Sequence, residues 1–412
     1  MPLDFTFTED QELIRKAVRE WCERNMPIEK VREMDNKGEI PREIWKGMAE
    51  LGILLPTVPK EHGGAGVDWI THCIIGEEIG YADITIATAA AFIVVEGAWG
   101  FTLDKYCSEE VREKYVKPAI KGEKFVGIAT TEPGGGSDVA AFKTTATKKG
   151  NEWIINGEKM YISGTEEAKK YGGGFWITAR TSPAPPEAAH RGMTSFFVPM
   201  DAPGIEITKR FDDCGRMAIS TGGFKMEEVR LPDEYRVGEE GKGFYYTMEG
   251  FDNARLIIAA SAIGVTRRVL EIGMDYIKQR KAFGWPIGKY EGISFELADL
   301  WTEMEATKVL VYKTAWMNDM KYKEGKFSAR EVAKWISMCK LKAPPLALKT
   351  CERVMIWHGA YGYTKECPVE MGWRGVMSYC IGAEGATNIQ RVVLVRELLG
   401  PEYVAYKKLK SE

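Results

Sequence analysis

The chain has 412 residues, 45% of them hydrophobic, and a formal net charge of -3. That is enough apolar material for two or three packed units and too much chain for one ordinary domain. The near-neutral charge gives no electrostatic case for nucleic acid, and no window reaches the roughly 18 unbroken apolar residues of a membrane span.

Eight cysteines lack any C-x-x-C spacing and four histidines lack metal-ligand spacing. Both facts argue for buried thiols in a reducing, cytoplasmic setting, with no disulfide frame and no metal site. Met1-Pro2-Leu3-Asp4-Phe5 brings an acid in at once, unlike a signal or transit peptide.

Thr8-Glu9-Asp10-Gln11 is a capping box, and Leu13, Ile14, Ala17, Val18 and Trp21 follow at helical spacing. A second amphipathic segment covers 44–54. Pro56 and Pro59 end it, and His62-Gly63-Gly64-Ala65-Gly66 reads as a loop. Apolar helical patterns then occupy about 68–103 and 109–121. At Phe125 the period changes to that of strands. Asn156-Gly157 between two strand-like runs predicts a hairpin, with a turn at Lys149-Gly150-Asn151 just before it. Further β-type runs cover 174–179, 194–198 and 204–207, and Ser182-Pro183-Ala184-Pro185-Pro186 reads as a surface loop.

From Gly243 the helical period returns, with Ile293, Leu297, Leu300, Trp301, Met304 and Val311 marking one long helix. The expected architecture is therefore α+β and multidomain. It comprises an N-terminal helical domain (1–124), a central β domain (125–236) and a C-terminal helical bundle (237–412).

The segment Ile381-Gly382-Ala383-Glu384-Gly385-Ala386-Thr387-Asn388-Ile389-Gln390-Arg391 sets one carboxylate among small and apolar neighbours. Ile389, Val392, Val393, Val395 and Leu398 after it read as the buried face of a helix. A desolvated Glu384 would have a raised pKa and a reactive base form. The competing reading is an acid in a helix first turn, facing solvent.

A glycine-rich loop, Thr130-Thr131-Glu132-Pro133-Gly134-Gly135-Gly136-Ser137-Asp138, follows the apolar run 125–129. With its T-E-P and S-D pairs, and with E-G-x-x-x-I-Q at Glu384, the sequence resembles the acyl-CoA dehydrogenase family over nearly its whole length. The resemblance implies FAD as cofactor and Glu384 as the base that takes the α-proton of an acyl-CoA. The β-hydrogen would pass as hydride to flavin N5 and the electrons onward to an electron-transferring flavoprotein. It also implies a homotetramer, a β-barrel-like central domain and a four-helix bundle for the C-terminal domain.

Residue by residue, the resemblance puts Ala129, Thr130 and Thr131 at the isoalloxazine edge. Gly136 falls near the flavin phosphates and Ser137 near the coenzyme A arm. Tyr161-Ile162-Ser163 matches W-I-T or W-I-S on one flavin face, with Tyr in place of Trp. Phe251-Asp252-Asn253-Ala254-Arg255 matches F-D-x-x-R, which brings Asp252 and Arg255 close to substrate and base.

Arg280 and Phe283, in R-x-x-F-G-x-x-I, would meet the pyrophosphate and adenine side of the flavin; Glu291 stands where Gln is usual. His358-Gly359-Ala360-Tyr361-Gly362-Tyr363 resembles H-G-G-x-G-Y, so Gly359 and Ala360 would touch the adenosine end of a flavin held mostly by a neighbouring subunit. Ile356 replaces Gln there, Ala386 replaces Thr and Asn388 replaces Gln, so three polar flavin contacts are thinned.

Ala383 stands where many straight-chain enzymes carry Tyr; with Gly385 it flanks the base and would face the substrate. Glu96 falls in the helical region that lines the acyl pocket in relatives, and Phe92, Trp99 and Trp357 offer flat walls. A compact or alicyclic acyl-CoA is the expected substrate. The alternatives are a short straight-chain or dicarboxylic acyl-CoA, an acyl-CoA oxidase, or a catalytically silent acyl-CoA-binding scaffold.

Overall fold

The structure, a computed structural model, describes residues 6–404; the reading of Met1–Phe5 lies outside them. Thr8 opens the first helix by its capping box. Its Oγ1 accepts from Gln11 N at 3.2 Å, and Gln11 Oε1 accepts from Thr8 N at 3.1 Å. Helices α1 (Glu9–Asn25), α2 (Ile28–Lys37) and α3 (Arg42–Glu50) follow, then α4 (Trp69–Ala82), which is buried along most of its length.

The helical patterns expected over 68–103 are separated by a break after α4. Asp83 accepts from Thr85 N at 3.0 Å and Thr88 N at 2.8 Å, a local bonding pattern that competes with the helix. The chain then forms a π-type helix (Ala89–Ala98), α5 (Trp99–Tyr106), and the short α6 (Glu109–Val111) and α7 (Lys117–Ile120).

Strands β1 (Val126–Ala129), β2 (Thr145–Lys149) and β3 (Glu152–Ser163) lead to α8 (Thr165–Tyr171). Then come β4 (Gly174–Arg180), β5 (Met193–Pro199), β6 (Ile205–Arg210), β7 (Thr221–Pro232) and β8 (Arg236–Val237). They form one sheet in the order β6-β7-β3-β2-β4-β5-β8, with β1 alongside β4.

Asn156-Gly157 does not turn the chain, contrary to its hairpin signal. β3 runs through it as a 12-residue strand with a register shift against β7 between Ile155 and Gly157. The pair serves a bulge: Asn156 Oδ1 accepts from Glu228 N at 2.9 Å, and a Cβ at Gly157 would come within 2.4 Å of Thr144 Oγ1. The hairpin lies earlier, joining β2 to β3 through Gly150 (φ 64°).

Helix α9 (Gly243–Gln279) packs on both α4 and the C-terminal helices, so it ties the two helical blocks together. A small hairpin of β9 (Lys281–Ala282) and β10 (Trp285–Pro286) precedes α10 (Glu291–Glu324), α11 (Ala329–Trp357), α12 (Val369–Ile381) and α13 (Thr387–Leu399).

The apolar face expected for α13 is not buried within the chain. Gln390 is its one fully buried residue, while Val395 and Leu398 are 38% and 69% exposed. The helix meets the bundle chiefly along α11, and its inward position is taken by Gln390, which binds Gly385 O. Among the described residues no helix is long and apolar enough to cross a membrane, and no cluster could hold a metal ion.

Candidate active site

Glu384 stands in the loop between α12 and α13, three residues before α13 begins, so it is not a first-turn acid. Its φ is 53°, a left-handed conformation that costs a non-glycine residue about 1–3 kcal/mol and persists only where the surroundings impose it. Those surroundings are visible. Arg255 Nε, from α9, donates to Glu384 O at 2.8 Å, and Arg255 Nη1 pairs with Asp252 Oδ1 at 2.8 Å. Gly385 N closes the turn on Gly382 O at 2.9 Å, Ala383 N donates to Ser378 O at 3.1 Å, and Gln390 Nε2 donates to Gly385 O at 3.3 Å.

The Glu384 side chain turns inward, where Oε1 accepts the indole N–H of Trp99 at 3.0 Å. Burial pushes its carboxyl up to about 7, against the opposing pull of Trp99 and of the Arg255 and Lys340 charges. Among the described residues, no acceptor in the chain takes the Glu384 N–H. The site thus combines a carboxyl poised near neutrality, a fixed backbone donor and a buried arginine pair.

The glycine-rich loop leaves the end of β1. Ala129 is fully buried, and Thr130 Oγ1 is buried with no partner among the described residues. Thr131 O accepts from Met160 N at 2.9 Å. Glu132, which the sequence presented only as part of a motif, is the loop's anchor. It accepts from Lys143 N at 2.6 Å, Thr144 N at 3.0 Å and Lys159 Nζ at 2.9 Å. Lys159 is fully buried and also donates to Thr130 O and Thr178 O. Sequence reasoning passed over it, because a lysine in a strand carries no sign of being turned inward.

Gly136 is half-buried against Thr131, and Ser137 lies exposed beyond it. At the end of β3, Tyr161 (φ 59°) is 61% exposed and stacks on Phe211 at 4.5 Å. Ile162 is buried, and Ser163 Oγ accepts from Arg216 Nη1 at 3.0 Å. An orphaned buried hydroxyl, an open aromatic face and a glycine loop beside a short strand fit a flat cofactor with a polar edge.

A third group lies on the outer surface of the bundle. Arg280 is exposed beside β9, and Phe283 (φ 50°), at the hairpin tip, is 92% exposed. Ile356, Gly359 and Ala360 are exposed at the end of α11. Ala386 precedes α13, and Asn388 Oδ1 accepts from Arg391 Nη1. No hydrogen bond or ion pair among the described residues joins Arg280, Phe283, Ile356, Gly359 or Ala360 to Glu384 or to the glycine loop.

Glu96 is fully buried in the π-type helix. Its Oε1 accepts from Val126 N at 3.3 Å, Oε2 has no partner among the described residues, and burial drives its carboxyl well above the usual range. Ala383 is half-buried beside the base. Of the three expected walls, only Trp99 touches Glu384. Phe92 packs on Trp45 and Phe125, and Trp357 donates to Glu296 Oε2 at 2.8 Å.

Family models for the acyl-CoA dehydrogenase N-terminal, middle and C-terminal domains match residues 8–123, 127–229 and 241–399. The chain is 32% identical over 397 residues to a probable acyl-CoA dehydrogenase of Bacillus subtilis, covering 96% of this chain and 100% of that protein. The chain belongs to the acyl-CoA dehydrogenase family. The chain is also 33% identical to a caffeyl-CoA reductase–Etf complex subunit of Acetobacterium woodii, over 95% of this chain and 99% of that one. Its fold matches butyryl-CoA dehydrogenase from Megasphaera elsdenii with a TM-score of 0.87 at 28% identity, covering 96% and 100% of the two chains. It is an FAD-dependent oxidoreductase of acyl-CoA metabolism.

Proposed function

We propose that the enzyme oxidises an acyl-CoA thioester to its α,β-enoyl-CoA, with Glu384 as the base that takes the α-proton. The observation that carries this reading is the desolvated Glu384 carboxyl, held on Trp99 and pushed up to about 7. A base with that pKa is ionised in a large fraction of molecules at neutral pH and still binds a proton well. The unused Glu384 N–H is a ready donor for the thioester oxygen, where negative charge grows as the α-proton leaves. Bound FAD supplies the acceptor for the β-hydrogen, taken as hydride.

Ala129, Thr130, Thr131, Tyr161, Ile162 and Ser163 would line the isoalloxazine, with Gly136 and Ser137 toward the phosphates and coenzyme A. Asp252 and Arg255 fix the base loop beside the substrate. Arg280, Phe283, Ile356, Gly359 and Ala360 would meet the flavin of another subunit in a homotetramer, with Ala386 and Asn388 contributing reduced contacts. An electron-transferring flavoprotein is the proposed acceptor, a reading supported by the similarity to a reductase–Etf complex subunit.

Ala383 leaves width beside the base, and Trp99 limits depth. Both favour a compact or alicyclic acyl group, with Glu96 a candidate polar contact. The test is anaerobic bleaching of the flavin by butyryl-, octanoyl-, glutaryl- and cyclohexanecarboxyl-CoA. The cyclic thioester should bleach fastest, and a clear preference for octanoyl-CoA would rule the compact pocket out. The same residues serve the reverse direction, enoyl-CoA reduction, with Glu384 returning the proton. The similarity to a reductase subunit keeps that direction in play, and enoyl-CoA added to the reduced enzyme reads it.

A further inference from the structure

Lys340 lies in the middle of α11 with no exposed surface. A buried ammonium ordinarily sits against a carboxylate, yet among the described residues Lys340 makes no ion pair. Its Nζ donates instead to two carbonyls, Tyr379 O in the last turn of α12 and Gly385 O at 3.4 Å. The first lies at the negative end of α12's dipole. The second is the residue after Glu384 and is also bound by Gln390 Nε2. Arg255 grips the same loop from α9, through Glu384 O.

We infer that Lys340 is a positioning residue for the Glu384 base: its ammonium clamps the loop from beneath and favours the ionised carboxylate. The inference rests on Glu384 being the base. The groups that act on Lys340 electrostatically are Cys380 on α12, Arg255 on α9 and Glu384 in the loop. Burial, reinforced by Arg255, brings its amine down to about 8, while Cys380 and Glu384 hold it up. Lys340 therefore carries its charge below that pH and loses it above. Losing it removes a cation that favours Glu384 in its ionised form, so the base becomes harder to ionise.

The experiment measures flavin bleaching by a saturating acyl-CoA as a function of pH in the holoenzyme, comparing wild type, Lys340→Met and Lys340→Arg. Lys340→Met should move the acidic midpoint upward by about one unit, with roughly a fivefold loss of rate at pH 7. Lys340→Arg should restore both the midpoint and the rate at pH 7, because guanidinium stays charged. If Lys340→Met does not fold, Lys340→Gln, which keeps a donor for the two carbonyls but carries no charge, takes its place and should show the same upward shift. An unchanged midpoint in Lys340→Met, or a Lys340→Arg midpoint that stays with that of Lys340→Met, overturns the inference. Failure of wild type to bleach at all would count against the base assignment instead.

Discussion

Trp99 and Glu384, 285 residues apart in sequence, meet through one hydrogen bond of 3.0 Å. The indole has little freedom to leave it. Trp99 packs on Trp176 and Phe251, and a Cβ at Gly250 would come within 2.1 Å of its ring. The wall of the site and the base are thus one mechanical unit. Replacing Trp99 by Phe keeps much of the wall and removes the donor. A hydrogen bond to a charged group contributes about 1.5–3 kcal/mol, so the base's pKa should rise by about one unit or more. The pH–bleaching profile of Trp99→Phe checks this: its midpoint should lie clearly above that of wild type, and an identical midpoint would show the bond to be incidental.

The raised carboxyl also carries a stability cost with a defined pH window. Glu384 is held at about 7 in the folded chain against an ordinary value of 4.5. The folded state therefore binds this proton more tightly than the unfolded state. Its effect is absent below pH 4.5, grows as pH rises, and is complete above 7. Glu384→Gln should then be more stable than wild type by up to about 3 kcal/mol at pH 8, less whatever solvent screens. Urea melts at pH 5 and pH 8 read the difference. A gap of equal size at both pH values would mean that ionisation is not its source.

The Glu132–Lys159 pair should be the structural keystone of the glycine loop. Both groups are buried, and Lys159 also holds Thr130 O, next to the unpartnered Thr130 hydroxyl. Burial alone would push the Glu132 carboxyl up. The Lys159 charge, the Thr144 hydroxyl and the Lys143 N–H together hold it below the ordinary carboxylate range. Glu132→Gln leaves a buried ammonium without its counter-charge, which costs on the order of 3–5 kcal/mol. Denaturant melts and flavin content per chain should both fall. Normal flavin loading in a strongly destabilised variant would separate the pair from the cofactor site.

Much of this was legible before the fold was known. The capping box at Thr8, the change of period at Phe125, the long helix starting near Ile293 and the raised carboxyl of Glu384 all follow from local pattern or composition. What escaped depends on distant partners. Asn156-Gly157 carries a strong turn signal, but pairing with β7 and the approach of Thr144 make it a bulge. Lys159 and Lys340 look like surface residues in sequence and are fully buried, because their partners are carbonyls and a carboxylate from other segments. The inward faces of Ile389 and Val395 were misjudged because apolar periodicity does not say whether the covering surface belongs to the same chain.

That last point bears on assembly. Phe283, Tyr363 and Leu398 are 92%, 93% and 69% exposed in the single chain, which leaves each of them free to be covered by another chain. Light scattering of the flavin-loaded enzyme should give a homotetramer, and Phe283→Asp should lower both flavin retention and assembly. An active, flavin-loaded monomer would contradict the reading.

The most direct measurement of the base assignment is single-turnover bleaching in Glu384→Gln, with folding and flavin content verified first. The amide keeps the shape of the side chain and cannot accept the α-proton. The expected result is an intact flavin spectrum and a loss of bleaching rate of about 10²-fold or more with every acyl-CoA tested. A Glu384→Gln holoenzyme that bleaches at the wild-type rate would place the base elsewhere.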